Sequence, residues 1–259
     1  QSVVDVILEH TQLEALMGGY EAEEKKIDEL NKVYDTVAEH IGAKSHEIAL
    51  MENSTVAWSH AFYALPLKSG SRILTSEAEY AANYVAFLQR AKRDNLKIDI
   101  VPSDQNGTLD INVLEDMIDE SVGLIAISWI PTNGGLVNPA EKVGQVAKKY
   151  NIPYLLDACQ AAGQMSINVK KIECDFLSAT GRKFLRGPRG TGFLYIKEKW
   201  LDIIEPVMID HFGAPWVEKN VYELREDARR FETWENSYAL RAGLGEAINY
   251  AEKIGIDLI

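Results

Sequence analysis

Cysteine is nearly absent from this 259-residue chain, which holds only Cys159 and Cys174. Two thiols cannot build a disulfide framework, and both sit in apolar stretches typical of reduced, buried cysteine, which points to a cytosolic setting. Positive charge is scarce too: 27 Lys and Arg face 39 Asp and Glu, for a net charge of -12. A chain this acidic lacks the basic footprint that neutralises phosphates, so no nucleic-acid partner is expected. No apolar run approaches the roughly 18 residues of a membrane span, and the opening QSVVDVILEH has neither a basic n-region nor a cleavage site. No membrane partner is expected either. Internal repeats, low-complexity tracts and Pro/Gly/Ser linkers are missing, which makes one main domain the economical reading. The five histidines, His10, His40, His46, His60 and His211, show no metal-ligand spacing such as H-E-x-x-H, and no metal is assigned. An initiating Met is lacking as well, so a start that is processed, trimmed or taken from a longer chain is the expectation.

What the chain does contain is alternation. Ile27, Leu30, Val33, Val37 and Ile41 fall at helical spacing between Tyr20 and the stop signal Gly42. Short apolar runs then trade places with helical patterns. EIALME precedes a helix from about Thr55; RILTS precedes AANYVAFLQRAKR; KIDIV precedes INVLEDMIDE; GLIAISWI precedes EKVGQVAKKY; and PYLLDA, CDFLSAT and TGFLYI read as further strands. Strands alternating with helices of this length predict an α/β fold, a three-layer sandwich around a mostly parallel, buried sheet. After Lys197 the regularity fades, and a helix resumes in SYALRAGLGEAINYAEKIG. The expected division is an N-terminal helical segment over 1–42, a binding domain over 43–200, and the end of that domain with the start of a C-terminal part over 201–259. In open α/β sheets ligands sit beyond the carboxyl ends of the strands, so the loops there are where chemistry is sought.

Three stretches at such ends stand out. YLLDACQ ends an apolar strand on Asp157, which suits either a turn cap or a carboxylate held for a cationic ring nitrogen. In ENSTVAWSHAF, Asn53, Ser54 and Thr55 open a helix, where hydroxyls and free N–H groups form either an ordinary cap or an anion site. SATGRKFLRGPRGTGFLYI packs one lysine and three arginines around four glycines. It lacks the spacing of a P-loop and precedes a strand where a dinucleotide loop precedes a helix, which disfavours nucleotide binding. Lys183 there follows a strand by a few residues, and is either a solvated cation or a desolvated amine that condenses with carbonyls. Together an anion site, an Asp and a Schiff-base Lys match the needs of one aldehyde cofactor, pyridoxal 5'-phosphate.

The sequence resembles the class V aminotransferase family of fold-type I pyridoxal-phosphate enzymes, the group that includes cysteine desulfurases, isopenicillin N epimerase-like proteins and hercynylcysteine sulfoxide lyases. The resemblance runs from LMGGYEAE to RRFETWENSYA and is strongest in PTNGGLVNP, YLLDACQAAGQ and SATGRKFLRGPRGTGFLY. It implies that Lys183 forms the Schiff base and shuttles the substrate α-proton. Asp157 then pairs with the pyridine nitrogen and Gln160 with the phenolic oxygen, while Ser54, Thr55, Thr180 and Arg182 hold the phosphate. Arg182 stands where many relatives have histidine. Tyr80, in SEAEYAAN, takes the place of a ring that stacks on the cofactor, and Thr132 and Asn133 fall near cofactor and substrate contacts. Cys159 reads as packing, and Arg186 and Arg189 as supports of the glycine loop or a subunit contact.

By the same resemblance, the protein is a homodimer, with RRFETWEN approaching the partner's site. Family members usually run to about 400 residues, so the small C-terminal domain, with the substrate-carboxylate arginine and the mobile desulfurase cysteine, is expected beyond Ile259. Cysteine desulfurases usually carry adjacent histidines where Tyr80 and Ala81 stand here. The implied activity is C–S bond cleavage in an amino-acid substrate. An aminotransferase or epimerase sharing the steps up to the carbanion is the alternative, and a catalytically incomplete cofactor-binding fragment is another.

Overall fold

A computed structural model describes residues 1–259. The chain opens with two helices, α1 (Ser2–Met17) and α2 (Gly19–Ile41). The second ends where Gly42, with φ 70, takes the left-handed conformation and its N–H caps the last turn. Strand β1 (Ile48–Met51) leads into helix α3 (Ser54–Ala64), β2 (Arg72–Ser76) into α4 (Ala81–Asp94), and β3 (Lys97–Val101) into α5 (Ile111–Asp116). Next come β4 (Val122–Ser128) with α6 (Ala140–Lys149), then β5 (Tyr154–Asp157) with the single-turn α7 (Val169–Ile172), then β6 (Phe176–Thr180) and β7 (Gly192–Ile196). A small hairpin, β8 (Trp216–Glu218) and β9 (Val221–Tyr222), precedes the closing helix α8 (Tyr238–Ile254).

The first seven strands form one sheet in the order β1-β7-β6-β5-β4-β2-β3. Only β7 runs against its neighbours, pairing antiparallel with both β1 and β6. Each strand divides its side chains between the two faces, as the period of two requires. Ile125 and Ile127 of β4 join Leu156 of β5 and Leu177 of β6 in the core under α2, α6 and α8. Leu124, Ala126, Leu155 and Phe176 turn to the opposite core, under α3 and α4. The central strands β4, β5 and β6 are thus buried on both sides, which explains their nearly unbroken apolar sequence. The expected three layers with a mostly parallel sheet are present.

This topology fixes where a ligand can bind. The chain passes from β2 outward to β3, then returns to place β4 on the other side of β2 and continues through β5 and β6. The direction of winding therefore reverses between β2 and β4, a switch point whose carboxyl edge is left uncovered by crossovers. No helix is long and apolar enough to cross a membrane.

Candidate active site

A cavity of about 220 Å³ opens at that edge, lined by Asn53, Ser54, Thr55, Tyr80, Asn83, Asp157, Cys159, Thr180, Arg182 and Lys183. Larger concavities lie around His46 and Asp227 and between Ile7 and Tyr250, but no strand residue lines either of them. Seven of the ten residues expected from the sequence border the 220 Å³ cavity: Ser54, Thr55, Tyr80, Asp157, Thr180, Arg182 and Lys183. The other three do not. Thr132 and Asn133 lie exposed on the loop after β4, and Gln160 is half-buried, its carbonyl accepting a bond from the Gln164 amide at 2.5 Å.

Each bordering residue is held by an element end. Asp157 closes β5 and is almost fully buried. Its Oδ1 accepts the Cys159 N–H at 2.9 Å and its Oδ2 accepts the Asn83 side-chain amide at 2.9 Å. Burial pushes the Asp157 carboxyl above the usual carboxylate range, while Asn83, the Cys159 N–H and the positive charge of Lys183 oppose it. A carboxylate in that position gains from pairing with a cation.

The opposite wall carries the anion-binding features. The Asn53 side chain caps α3, accepting the Val56 N–H at 3.0 Å. The N–H groups of Ser54 and Thr55 precede the first intrahelical bonds and face outward at the positive end of the helix dipole. Ser54 is buried, with its hydroxyl 3.1 Å from that of Ser178, and Thr180 donates its hydroxyl to the Thr191 carbonyl at 3.2 Å.

Between the two walls stands the loop of Lys183. The Gly181 N–H bonds Thr191 O at 2.9 Å, the Gly187 N–H bonds Gly181 O at 2.7 Å, and the Arg186 N–H bonds Lys183 O at 3.0 Å. Arg186 completes this turn in the left-handed region, φ 58, a conformation that costs a non-glycine residue about 1–3 kcal/mol and clusters at functional sites. The Lys183 ammonium lies 5.8 Å from the centroid of the Tyr80 ring. Among the ion pairs of the molecule, none involves Lys183 or Arg182. In a chain with 39 acidic side chains, both cations at the cavity lack a carboxylate partner.

Two residues belong at the site that the sequence reading placed elsewhere or missed. Cys159 was expected in the core with Cys174; only Cys174 is fully buried, and Cys159 is half-buried on the cavity wall. The cause is local: the backbone turns sharply after Asp157, whose carboxylate binds the Cys159 N–H, and the turn points the thiol outward. Burial, with the neighbouring Asp157 charge, still pushes that thiol upward. Asn83 was missed, although its distance of three residues from Tyr80 on a predicted helix start puts both on one face.

Comparison with known proteins agrees with this architecture. The family model described as Aminotransferase class-V matches residues 1–259. A protein of Pyrococcus abyssi named a probable cysteine desulfurase is 33% identical over 237 residues, 91% of this chain and 58% of its own length. One of the same name from Methanothermobacter thermautotrophicus is 29% identical over 92% of this chain and 60% of its own length. The apo structure of a cysteine desulfurase from Thermococcus onnurineus NA1 superposes with a TM-score of 0.89 at 29% identity, covering 97% of this chain and 65% of that one. The chain thus spans about three-fifths of the length of the curated relatives it matches.

Proposed function

Because the chain belongs to the aminotransferase class-V family, we propose that its strand-end cavity holds pyridoxal 5'-phosphate and that the protein cleaves the C–S bond of cysteine or a cysteine derivative. One observation carries the cofactor reading: an unpaired lysine, a desolvated carboxylate and a helix N-terminus converge on one cavity of about 220 Å³. The donor set fits the group. Ser54, Thr55 and the start of α3 suit a phosphate, with Arg182 as counter-charge and Thr180 beside it. Asp157 suits a protonated pyridine nitrogen, and Tyr80 a ring face. Gln160, Thr132 and Asn133 do not line the cavity and stay in the proposal as outer contacts, Gln160 toward the phenolic oxygen and Thr132 and Asn133 toward cofactor and substrate.

When bound, the cofactor supplies an aldehyde that joins amines and a ring that draws electrons from a substrate carbon. The chain's own residues then have separable tasks. Lys183 carries the amine that meets the aldehyde, and its Nζ is the base that takes the proton from the substrate α-carbon. Asp157 keeps a proton on the ring nitrogen by holding a negative charge against it. Burial and the neighbouring Asp157 charge push the thiol of Cys159, the one thiol on the cavity wall, upward, which makes it a poor nucleophile. The names of the relatives support sulfur chemistry over amino transfer or epimerisation. The same reading includes a homodimer in the cytosol, the latter supported by the two free cysteines.

The test is direct. Titration of the chain with the cofactor should give a visible absorbance band, and borohydride should fix the cofactor's mass onto Lys183; an unchanged band in Lys183→Ala would refute the assignment. Asp157→Asn should retain the cofactor through its phosphate but slow exchange of the substrate α-proton. For the reaction, the full-length protein should release sulfur from cysteine; amino-group transfer to a keto acid without sulfur release would overturn C–S cleavage.

A further inference from the structure

Resting on the cofactor reading above, we propose that Glu79, which does not line the cavity, is the positioning residue for its carboxylate: through Asn83 it orients Asp157 toward a cationic ring nitrogen, and its own charge strengthens that attraction.

Glu79 follows β2, and its carboxylate is a hub of donors. Oε1 accepts the Tyr80 N–H at 2.8 Å, the Ser128 hydroxyl at 2.6 Å and the Asn83 side-chain amide at 2.9 Å. Oε2 accepts the Thr75 hydroxyl at 3.0 Å and the Ser128 N–H at 2.9 Å. Burial and the neighbouring Asp157 charge push Glu79 upward, but five donors converge on it and no acceptor does, an arrangement that only an ionised carboxylate satisfies in full.

Asn83 carries the effect inward. The same amide nitrogen that donates to Glu79 also donates to Asp157 Oδ2 at 2.9 Å. Both of its N–H bonds are committed to carboxylates, so flipping the amide would set its oxygen against one of them. Glu79 therefore fixes the sense of Asn83, and Asn83 fixes Asp157 Oδ2, while the Cys159 N–H fixes Oδ1. Each Asp157 oxygen keeps a lone pair. Two carboxylates joined through one neutral amide also repel, and a cation placed against Asp157 relieves that repulsion. Glu79 additionally holds Tyr80 at the start of α4 through its N–H, so the ring and the carboxylate share one anchor.

The proposal separates from a merely structural role by the ligand probe. Affinities of the full chain would be measured for pyridoxal 5'-phosphate and for its carbocyclic analogue, in which CH replaces the ring nitrogen. Glu79→Gln should weaken the natural cofactor about ten-fold, the factor for one pKa unit of differential interaction, and leave the analogue within about two-fold. Asn83→Ala, which leaves four of Glu79's five donors, should show the same selectivity and carries the test should Glu79→Gln fail to fold. In an Asp157→Asn background Glu79→Gln should have no further effect on cofactor affinity. Equal losses for both compounds in Asn83→Ala and any folded Glu79→Gln, or no loss for either, would overturn the assignment of Glu79. A wild-type chain that takes up neither compound would instead overturn the cofactor reading on which the proposal rests.

Discussion

Gly163 offers a sharp test of how the fold places Lys183. Its φ is 93, and a Cβ added there would stand 2.3 Å from Leu185 N and 2.4 Å from the Phe184 carbonyl carbon. Both atoms are backbone of the loop that begins at Lys183, so no flexible side chain can swing aside. Restoring ordinary contact requires the two segments to part by about 1 Å, within an interior packed as densely as an organic crystal. Gly163→Ala then incurs about 1–3 kcal/mol for a side chain at this φ and about 1–3 kcal/mol for overpacking. Gly134→Ala is the matched control: its φ is 87, but nothing lies within 4 Å of the added Cβ, so it reports the conformational part alone. Urea unfolding of both variants should place Gly163→Ala below Gly134→Ala by the overpacking difference. A displacement of about 1 Å at the base of Lys183 should also slow development of the cofactor's absorbance band about 10²-fold. If Gly163→Ala matches Gly134→Ala in stability and wild type in that rate, contact through Gly163 does not position the lysine.

Three other perturbations follow from buried ionisable groups. Arg90 donates to the Phe62 and Leu65 carbonyls at the end of α3 and pairs with Asp94 at 2.8 Å; Arg90→Ala strands both carbonyls and should lower unfolding free energy by about 2–4 kcal/mol in urea titrations. Glu232, whose side chain is fully buried, accepts from Tyr34 at 2.9 Å, the Leu50 N–H at 2.9 Å and Arg241 at 2.8 Å; Glu232→Ala should cost about 3–5 kcal/mol by isolating Arg241, and adding Arg241→Met should recover part of it. Burial pushes His60 below the usual histidine range, so the unfolded chain takes up its proton first, and this site's contribution to stability falls as pH drops below about 6.5. The difference in urea midpoint between wild type and His60→Asn should therefore change between pH 7.5 and 5; a constant difference would show that burial does not hold His60 neutral.

The parts of the fold that were legible in the sequence are those where one physical signal dominates. Strands buried on both faces wrote themselves as apolar runs such as GLIAISWI, and α2 as a stripe from Ile27 to Ile41 closed by Gly42. Helix α1 (Ser2–Met17) was read only as part of the helical segment over 1–42 and without bounds of its own, because its apolar residues Val3, Val4, Val6, Ile7 and Leu8 crowd together around Asp5 and leave no clear stripe. The reversal of β7 and the strand order depend on pairing between distant segments, as in Ile48 with Tyr195, which periodicity does not encode. The hairpin β8–β9 was hidden by its shortness, with three residues facing two. At the site, Asp157 and Lys183 declared themselves because a charge directly after an apolar strand needs a reason. Glu79, Asn83 and Ser128 did not, since a polar side chain at a strand end or a helix start looks the same in sequence whether it caps a turn or joins a buried network.

That contrast has a physical basis in how the molecule distributes its charges. The buried Arg90 and Arg241 are each satisfied inside the chain, by carbonyls and a carboxylate in one case and by Glu232 in the other. Arg182 and Lys183 sit on a loop whose amides bond to one another, and their cations are held beside the cavity without a carboxylate of their own. The nearby acids are arranged so that they do not quench them: Asp157 binds the Asn83 amide and the Cys159 N–H, and Glu79 is saturated by five donors. Neutral donors thus orient both carboxylates without a direct ion pair to either cation. The separation keeps Lys183 free to react and Arg182 free for an anion, in a protein whose net charge of -12 would otherwise favour internal pairing at both positions.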